Sequence, residues 1–99
     1  MTRFQEKVYA ACKKIPRGKI STYSAIAHAI GKPTACRAVG NALNKNRSSD
    51  VPCHRVICSN GRVGGFAHGT RAKIKMLTVE GLKIKRGKLL FFKSFFYLP

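Results

Sequence analysis

The sequence predicts one small, mainly α-helical domain with a small β element. Three features favour this fold class: apolar residues at helical spacing near the start, two short helices joined by a turn, and short apolar stretches bounded by turn residues in the second half. The chain has 99 residues, of which 44% are hydrophobic, and this suits one folded domain with one modest core.

A first helix is expected over residues 2–14, because Phe4, Val8 and Cys12 recur there at helical spacing. The Pro16–Gly18 stretch should end it, since proline and glycine both interrupt helices.

Two further helices should follow, one running to about Ile30 and one over about residues 35–44. Ser21 or Thr22 can cap the first of these helices, and Thr34 can cap the second. A short turn containing a glycine and a proline joins them, which is typical of a helix-turn-helix. Any small helical domain has such corners, so the pattern alone leaves ordinary internal packing open.

Small residues and one arginine distinguish the third helix. Cys36, Val39 and Leu43 share an apolar face, so Cys36 is expected in the core, as is Cys12 on the first helix. The small residues let this helix approach closely whatever it packs against, which can be a ligand or the protein interior. Arg37 can reach a phosphate or a base stack, or it can be an ordinary solvated arginine.

The second half predicts one more helix and a few short strands. Val56–Ile57 should form a strand followed by a turn at Ser59–Gly61. The glycine-rich Gly64–Gly69 loop lacks the GxxxxGK[ST] spacing of a phosphate loop. Thr70 can cap a last helix that ends near Glu80.

A hairpin is expected at the end of the chain. Leu82 and Ile84 alternate with lysines, Arg86–Gly87 should form the turn, and Leu89–Phe92 should form the second strand. The aromatic residues of this region should cover the core. Base stacking and a membrane role are the alternative interpretations.

The charge balance points to a polyanionic partner. Twenty lysines and arginines face three acids, Glu6, Asp50 and Glu80, so the formal net charge is +17. Such a field attracts nucleic acid. A solubilising surface, a ribosomal role and a membrane-surface role stay open. The longest apolar tract is too short to span a bilayer, and the expected partner is nucleic acid rather than a membrane.

The four cysteines are expected to be free thiols. No signal peptide is visible, and without a secretory context an intracellular location is the expectation. No pair has CxxC spacing, and the separation of Cys53 from Cys58 is a weak zinc signal, so no metal is expected.

The hexapeptide Pro52–Ile57 holds the most suggestive chemistry. It places Cys53, His54 and Arg55 together. Nearby positive charge lowers the pKa of a thiol, and a histidine can take its proton near neutral pH. Neighbouring side chains in a strand point to opposite faces, so the thiol and the imidazole meet only if the chain turns there or a water links them.

This hexapeptide resembles the active-site signature of the methylated-DNA–protein-cysteine methyltransferases, also called O6-alkylguanine-DNA alkyltransferases. Other segments resemble the same family, in its order and at its spacing. They are Ile15–Tyr23 at the entry to the helix-turn-helix, Cys36–Leu43 at the recognition helix, Asn46 after that helix, and Gly64–Phe66 and Leu77–Gly81 beyond the cysteine.

The resemblance implies a winged helix-turn-helix-like domain that binds double-stranded DNA through the minor groove and flips out the damaged base. Cys53 would accept the alkyl group of O6-methylguanine, with O4-methylthymine as a further candidate substrate. His54 would act as general base through a water, and Glu80 would orient its imidazole. The hydroxyl of Tyr23 would donate toward the guanine N3, and Asn46 would hold the turn that leads to the cysteine segment.

The resemblance also implies a DNA-binding set and a mode of action. Arg37 would fill the space left by the flipped nucleotide, Lys73 would tune the site, and backbone at Cys53, Val56 and Ala67 would read the guanine edge. The full set placed against substrate or DNA is Tyr23, Ala35, Cys36, Arg37, Gly40, Val56, Ser59, Ala67 and Lys73. The product thioether has no evident route back, so a monomer without a cofactor would react once, as a suicide enzyme.

Some features depart from the family pattern. Many relatives carry an additional N-terminal domain, which is expected to be absent from the single domain of residues 1–99. Short relatives called alkyltransferase-like proteins replace the cysteine, typically with tryptophan, whereas this chain keeps Cys53. Phe66 stands where a tyrosine is common, and the Ala67–His68 pair is unusual. A non-enzymatic lesion sensor, a general basic DNA-binding protein and a cysteine hydrolase therefore remain alternatives.

Overall fold

The computed structural model describes all 99 residues. Helix α1 spans Arg3–Lys13, close to the predicted range. Thr2 and Gln5 form a capping box: the Gln5 backbone N–H donates to Thr2 Oγ1 at 3.1 Å, and the Thr2 N–H donates to Gln5 Oε1 at 3.0 Å. These two bonds satisfy N–H groups that a helix start otherwise leaves free. Val8 and Cys12 lie fully buried on the inner face of α1.

Helices α2 (Tyr23–Ala29) and α3 (Cys36–Asn44) form the predicted helix-turn-helix. Thr22 caps α2, since its hydroxyl oxygen accepts the Ala25 N–H at 3.0 Å. The predicted cap of α3 is wrong. Ala35, not Thr34, occupies the position before that helix, and no side chain bonds to the free N–H groups there.

A hydrogen bond between side chain and backbone holds α1 against α3. The Tyr9 hydroxyl donates to the Ala42 carbonyl oxygen at 2.6 Å in a buried setting. Val39 and Leu43 turn inward from α3 and join a core cluster of 13 buried residues built mainly on the first three helices. The expectation that Cys36 joins this core is wrong: Cys36 is exposed, because it lies at the solvent-facing start of the helix.

Two short parallel strands connect the helix-turn-helix to the cysteine segment. β1 (Ser21–Thr22) pairs with β2 (Val56–Ile57), with Ser21 opposite Val56. Because β1 runs directly into α2 and β2 directly follows the Cys53 segment, this pairing fixes the start of the helix-turn-helix beside the cysteine.

Helix α4 (Thr70–Val79) follows the glycine-rich loop. The predicted capping role of Thr70 is wrong, because Thr70 is the first helical residue and Gly69 precedes the helix with a φ of +93°. Leu77 belongs to a second core cluster of six residues, which also contains Ile57. The cysteine segment therefore crosses from the first cluster, where Cys53 lies, to the second.

A hairpin and a short helix end the chain. β3 (Ile84–Lys85) pairs antiparallel with β4 (Lys88–Leu89), and α5 covers Phe92–Phe95. The predicted second strand, Leu89–Phe92, stops early because Phe91 has a φ of +59°, which breaks extended backbone. The aromatic tail covers the core only in part: Phe92, Phe95 and Phe96 pack on the second cluster and Tyr97 on the first, whereas Phe91 is 67% exposed.

Candidate active site and nucleic-acid interface

The chain turns at Cys53, which is one of the two arrangements that the sequence left open for the thiol and the imidazole. Residues Cys53–Arg55 form one turn of 3-10 helix, and the Arg55 N–H donates to the Pro52 carbonyl oxygen at 3.0 Å. Cys53 and His54 are both buried. No hydrogen bond joins the imidazole to the thiol, so a contact between them would have to pass through a water.

Polar partners surround the Cys53 sulfur. Asn46 Nδ2 donates to Sγ at 3.2 Å, and the thiol points toward the Leu43 carbonyl oxygen at 3.6 Å. Asn46 is itself fixed, since its amide donates to the Ser48 carbonyl oxygen and accepts the Ser48 N–H. The predicted position of Asn46 after the recognition helix thus places its amide directly on the sulfur.

The pKa of the Cys53 thiol is lowered. A hydrogen bond from Cys12 is the main cause, burial opposes it, and the Asn46 hydrogen bond and the charge of Lys73 add to the lowering. The pKa of Cys12 is raised by its interaction with Cys53 and by burial, so Cys12 stays protonated. The helical pattern predicted only a core position for Cys12, and nothing in its place on α1 indicated that it would lie beside Cys53.

Glu80 holds His54 and Arg55 together. Its Oε2 lies 2.7 Å from His54 Nε2, and Arg55 Nε donates to Oε1 at 2.9 Å while a second guanidinium nitrogen donates to Oε2 at 2.9 Å. The Gly18 N–H also donates to Oε1, at 3.3 Å. Since Nε2 faces the carboxylate, Nδ1 of His54 is the nitrogen left to accept a proton.

The charges of this cluster shift both titrating groups. Burial would raise the pKa of the Glu80 carboxyl, but hydrogen bonds from Arg55 and then His54 outweigh it and lower that pKa to about 2. Burial lowers the pKa of His54, and the Glu80 hydrogen bond and charge only partly oppose this. His54 is therefore neutral at pH 7, and Glu80 is ionised.

A second polar cluster lies behind the cysteine turn. Lys73 is fully buried, and its Nζ donates to the carbonyl oxygens of Val56 at 2.6 Å and Gly65 at 3.1 Å and to the Tyr23 hydroxyl at 3.2 Å. Burial lowers the pKa of Lys73 to about 8. Burial, followed by the charges of Cys58 and the other nearby thiols, raises the pKa of Tyr23 to about 12, so its hydroxyl keeps its proton.

A cavity of about 370 Å³ opens at the cysteine. Cys53, His54 and Asn46 line it, together with Ala67 and the rest of the Phe66–His68 loop. This volume lies in the usual range of small-ligand sites. The other predicted substrate residues lie outside the cavity lining. Tyr23 and Lys73 sit behind the turn, Val56 is fully buried, and the exposed Ser59 lies on the next turn.

The predicted DNA-facing residues divide into exposed and half-buried ones. Cys36 and Arg37 are exposed on α3. Ala35 and Gly40 are half-buried, and a Cβ at Gly40 would lie 3.8 Å from the Tyr23 ring, an ordinary contact. The outer face of α3 therefore carries small side chains beside one arginine, which allows close approach to a duplex.

The functional residues that sequence reasoning missed are Arg55 and Gly18 as partners of Glu80, and Cys12 as the partner of Cys53. Arg55 stands in the hexapeptide, so an ion pair with one of only three acids could have been suspected. Gly18 and Cys12 gave no local signal. The geometry defines a class: a basic helix-turn-helix domain that carries a buried, hydrogen-bonded cysteine beside a histidine–carboxylate pair. No helix of this domain has the length and apolar character needed to cross a membrane.

This chain belongs to the family described as "6-O-methylguanine DNA methyltransferase, DNA binding domain", whose model matches residues 3–82. The resemblance inferred from the sequence motifs is confirmed, and so is the winged helix-turn-helix-like fold class. A relative from Methanosarcina acetivorans, named methylated-DNA–protein-cysteine methyltransferase, is 49% identical over 81 residues, which are 81% of this chain and 52% of the relative. A relative of the same name from Saccharolobus solfataricus is 46% identical over 82 residues, which are 82% of this chain and 52% of that protein.

Solved structures support the same assignment. S. pombe Atl1 in complex with damaged DNA containing O6-carboxymethylguanine has a TM-score of 0.89 at 35% identity, with 100% of this chain and 98% of that chain covered. Mycobacterium tuberculosis OGT in complex with DNA has a TM-score of 0.78 at 42% identity, with 81% of this chain and 50% of that chain covered. The chain thus spans about half the length of the curated relatives it matches, and nearly all of Atl1.

Proposed function

We propose that this chain repairs DNA by removing the alkyl group from O6-methylguanine in a duplex and keeping it on Cys53. The observation that carries the proposal is the environment of the sulfur: Asn46 donates to it at 3.2 Å, its pKa is lowered, and it borders a cavity of about 370 Å³. The shared name of the relatives supports the same reaction. O4-methylthymine is a second candidate substrate.

The proposed transfer is a displacement at a saturated carbon. The Cys53 thiolate attacks the alkyl carbon, the bond from that carbon to O6 breaks, and its electron pair passes to the guanine, which gains a proton. A stable thioether forms, with no route back to the thiolate. Each chain, acting as a monomer without a cofactor, therefore reacts once.

The proton of the thiol is proposed to pass through one water to Nδ1 of His54. Two observations support this step: His54 is neutral at pH 7, and its other nitrogen lies 2.7 Å from the Glu80 carboxylate. The carboxylate stabilises the imidazolium that forms, because an opposite charge at hydrogen-bond distance favours the protonated ring. Arg55 keeps Glu80 ionised and in place.

The remaining residues are proposed to present and activate the base. The Tyr23 hydroxyl keeps its proton and would donate it toward the guanine N3 once a base replaces its 3.4 Å contact with the Gly65 carbonyl oxygen. Lys73 holds Tyr23 and the glycine loop in register. A buried thiol can reach the alkyl group only if the base is flipped out of the duplex. Arg37, exposed on α3, would occupy the space that the flipped nucleotide leaves.

A lesion sensor is the second candidate function. The observation that favours it is the structural match to Atl1, which covers the whole chain and so extends past residue 82, where the family model ends. The Atl1 structure was solved with damaged DNA. In this case the chain would hold the flipped base while Cys53 stays unmodified, and it would mark the damage for a separate repair pathway.

Labelled methyl transfer separates these functions. The chain is incubated with a duplex that carries O6-methylguanine with a labelled methyl group, and protein-bound label is counted. Retention of label by Cys58→Ser, whose thiol does not line the Cys53 cavity, and loss of label in Cys53→Ser support the proposal. Tight lesion binding without label in the unaltered chain would refute it in favour of a sensor, and equal binding to damaged and undamaged duplex would indicate a general DNA-binding protein.

A further inference from the structure

A strongly basic cleft lies on the C-terminal hairpin. It has a volume of about 450 Å³, and its lining residues are Arg62, Lys85, Arg86, Lys88 and Leu90. We call it the hairpin cleft. All four of its cations are exposed.

No carboxylate neutralises the hairpin cleft. The chain has only three acids, and Glu80 is the one whose carboxylate forms ion pairs, both of them at the cysteine site. Four like charges around one concave surface repel each other. Such a cluster is stabilised when an anion enters it, and guanidinium groups favour phosphate in particular because their fork matches two oxygens at once.

The tip of the hairpin has an arginine in a backbone conformation that asparagine adopts at lower cost. Arg86 has a φ of +54° and Gly87 a φ of +75°, as in the two-residue turns that favour asparagine followed by glycine. A left-handed conformation is unfavourable for arginine because its Cβ crowds the backbone. Strain held at an exposed cation points to a role for its side chain outside the fold.

The hairpin is fixed beside a predicted DNA contact. The Leu89 N–H donates to the Gly61 carbonyl oxygen at 2.8 Å, and the Val63 N–H donates to the Gly87 carbonyl oxygen at 3.0 Å. These bonds attach it to the turn that carries the exposed Ser59. Apart from Arg62, the residues of the cleft lie beyond the range that the family model matches, and none of them lines the Cys53 cavity.

We propose that the hairpin cleft binds a backbone phosphodiester of the same DNA duplex, next to the segment held by the helix-turn-helix. This inference rests on the proposed function only in taking DNA as the ligand. The cleft anchors and orients the duplex without reading bases, because phosphate contacts carry no sequence information.

The salt dependence of binding tests this proposal. In Arg62→Gln/Lys88→Gln, the magnitude of the slope of log affinity against log salt should fall by about 1, since losing one phosphate contact removes about 0.9. Affinity should drop by the same factor for duplexes with and without O6-methylguanine. The control Lys7→Gln/Lys14→Gln removes the same charge at a different cavity and should keep its slope. Equal slopes for the two double variants would overturn the proposal.

Arg86→Asn provides a second test, in which weaker DNA binding cannot be attributed to a less stable fold. Asparagine accepts the left-handed turn, so the Tm should rise by about 4 °C while DNA affinity falls several-fold. A higher Tm with unchanged affinity would overturn the role of Arg86, as would a lower Tm. If both tests give the expected results but no methyl transfer occurs, the proposed reaction is refuted and the proposed phosphate site is supported. If methyl transfer is normal but the two double variants have equal salt slopes, the phosphate site is refuted and the reaction is supported.

Discussion

Replacing Glu80 with glutamine should destabilise the fold substantially, and two independent arguments give the magnitude. The Glu80 pKa is lowered from 4.5 to about 2, and each pKa unit corresponds to about 1.4 kcal/mol, so the ionised carboxylate stabilises the fold by about 3 kcal/mol. Its side chain is only 5% exposed, so solvent screens this interaction weakly. Removing one partner from a buried ion pair costs about 3–5 kcal/mol, which overlaps the first value.

The pH dependence of this effect has a definite sign. Because the pKa of Glu80 is lower in the folded state than in the unfolded state, its contribution is fully present above pH 4.5 and is lost as the pH falls toward 2. The difference in unfolding free energy between Glu80→Gln and the unaltered chain should therefore be about 3 kcal/mol at pH 7 and should shrink below pH 4.5. The Glu80 carboxylate also stabilises the protonated form of His54. The difference in unfolding free energy should therefore not narrow between pH 6.5 and 4.5.

Urea unfolding followed by circular dichroism measures this difference. With typical urea slopes, about 3 kcal/mol lowers the midpoint by about 1–3 M at pH 7. Glu6→Gln is the matched control, because Glu6 is exposed and its loss should change stability by only about 0.5 kcal/mol. A loss below about 1 kcal/mol for Glu80→Gln at pH 7, or the same loss at pH 3, would refute the described role of the cluster.

Three further predictions concern the cysteine, the helices and the DNA face. Cys12→Val removes the main cause of the lowered Cys53 pKa, so alkylation of Cys53 by iodoacetamide at pH 7, followed by peptide mapping, should slow several-fold; an unchanged rate would contradict the contact. Tyr9→Phe should destabilise the fold by about 1–2 kcal/mol in urea unfolding, because the Ala42 carbonyl loses a buried donor, whereas Tyr97→Phe should change little; equal effects would contradict this. Arg37→Ala should slow methyl transfer more than it weakens binding to undamaged duplex, and unchanged transfer would count against its proposed role.

Local chemistry predicted the elements whose signals lie within a few residues. The Thr22 hydroxyl caps α2, and Gly31 ends it with a φ of +76°, a conformation that glycine adopts readily. The same rules failed at Thr34 and Thr70, because a capping residue type shows only that a cap is possible; the surrounding turns decide which residue occupies the position.

The residues of the site could be predicted from the sequence, but the hydrogen bonds and ion pairs that join them could not. The motifs pointed to Cys53, His54 and Glu80 through family resemblance, yet the Arg55 contacts with Glu80 depend on residues 25 positions apart meeting in the fold. Lys73 illustrates the same limit. A lysine on an amphipathic helix normally implies a solvated face, but three oxygen partners make full burial of Lys73 possible.

Mass spectrometry of the unaltered chain after reaction tests the central claim most directly. The protein is mixed with an excess of duplex containing O6-methylguanine, and its intact mass and peptides are measured once the reaction stops. The account predicts one methyl group per chain, located on Cys53, with no second addition at longer times. An unmodified Cys53 on chains that have bound the lesion, or a methyl group on Cys12, Cys36 or Cys58 instead, would contradict it.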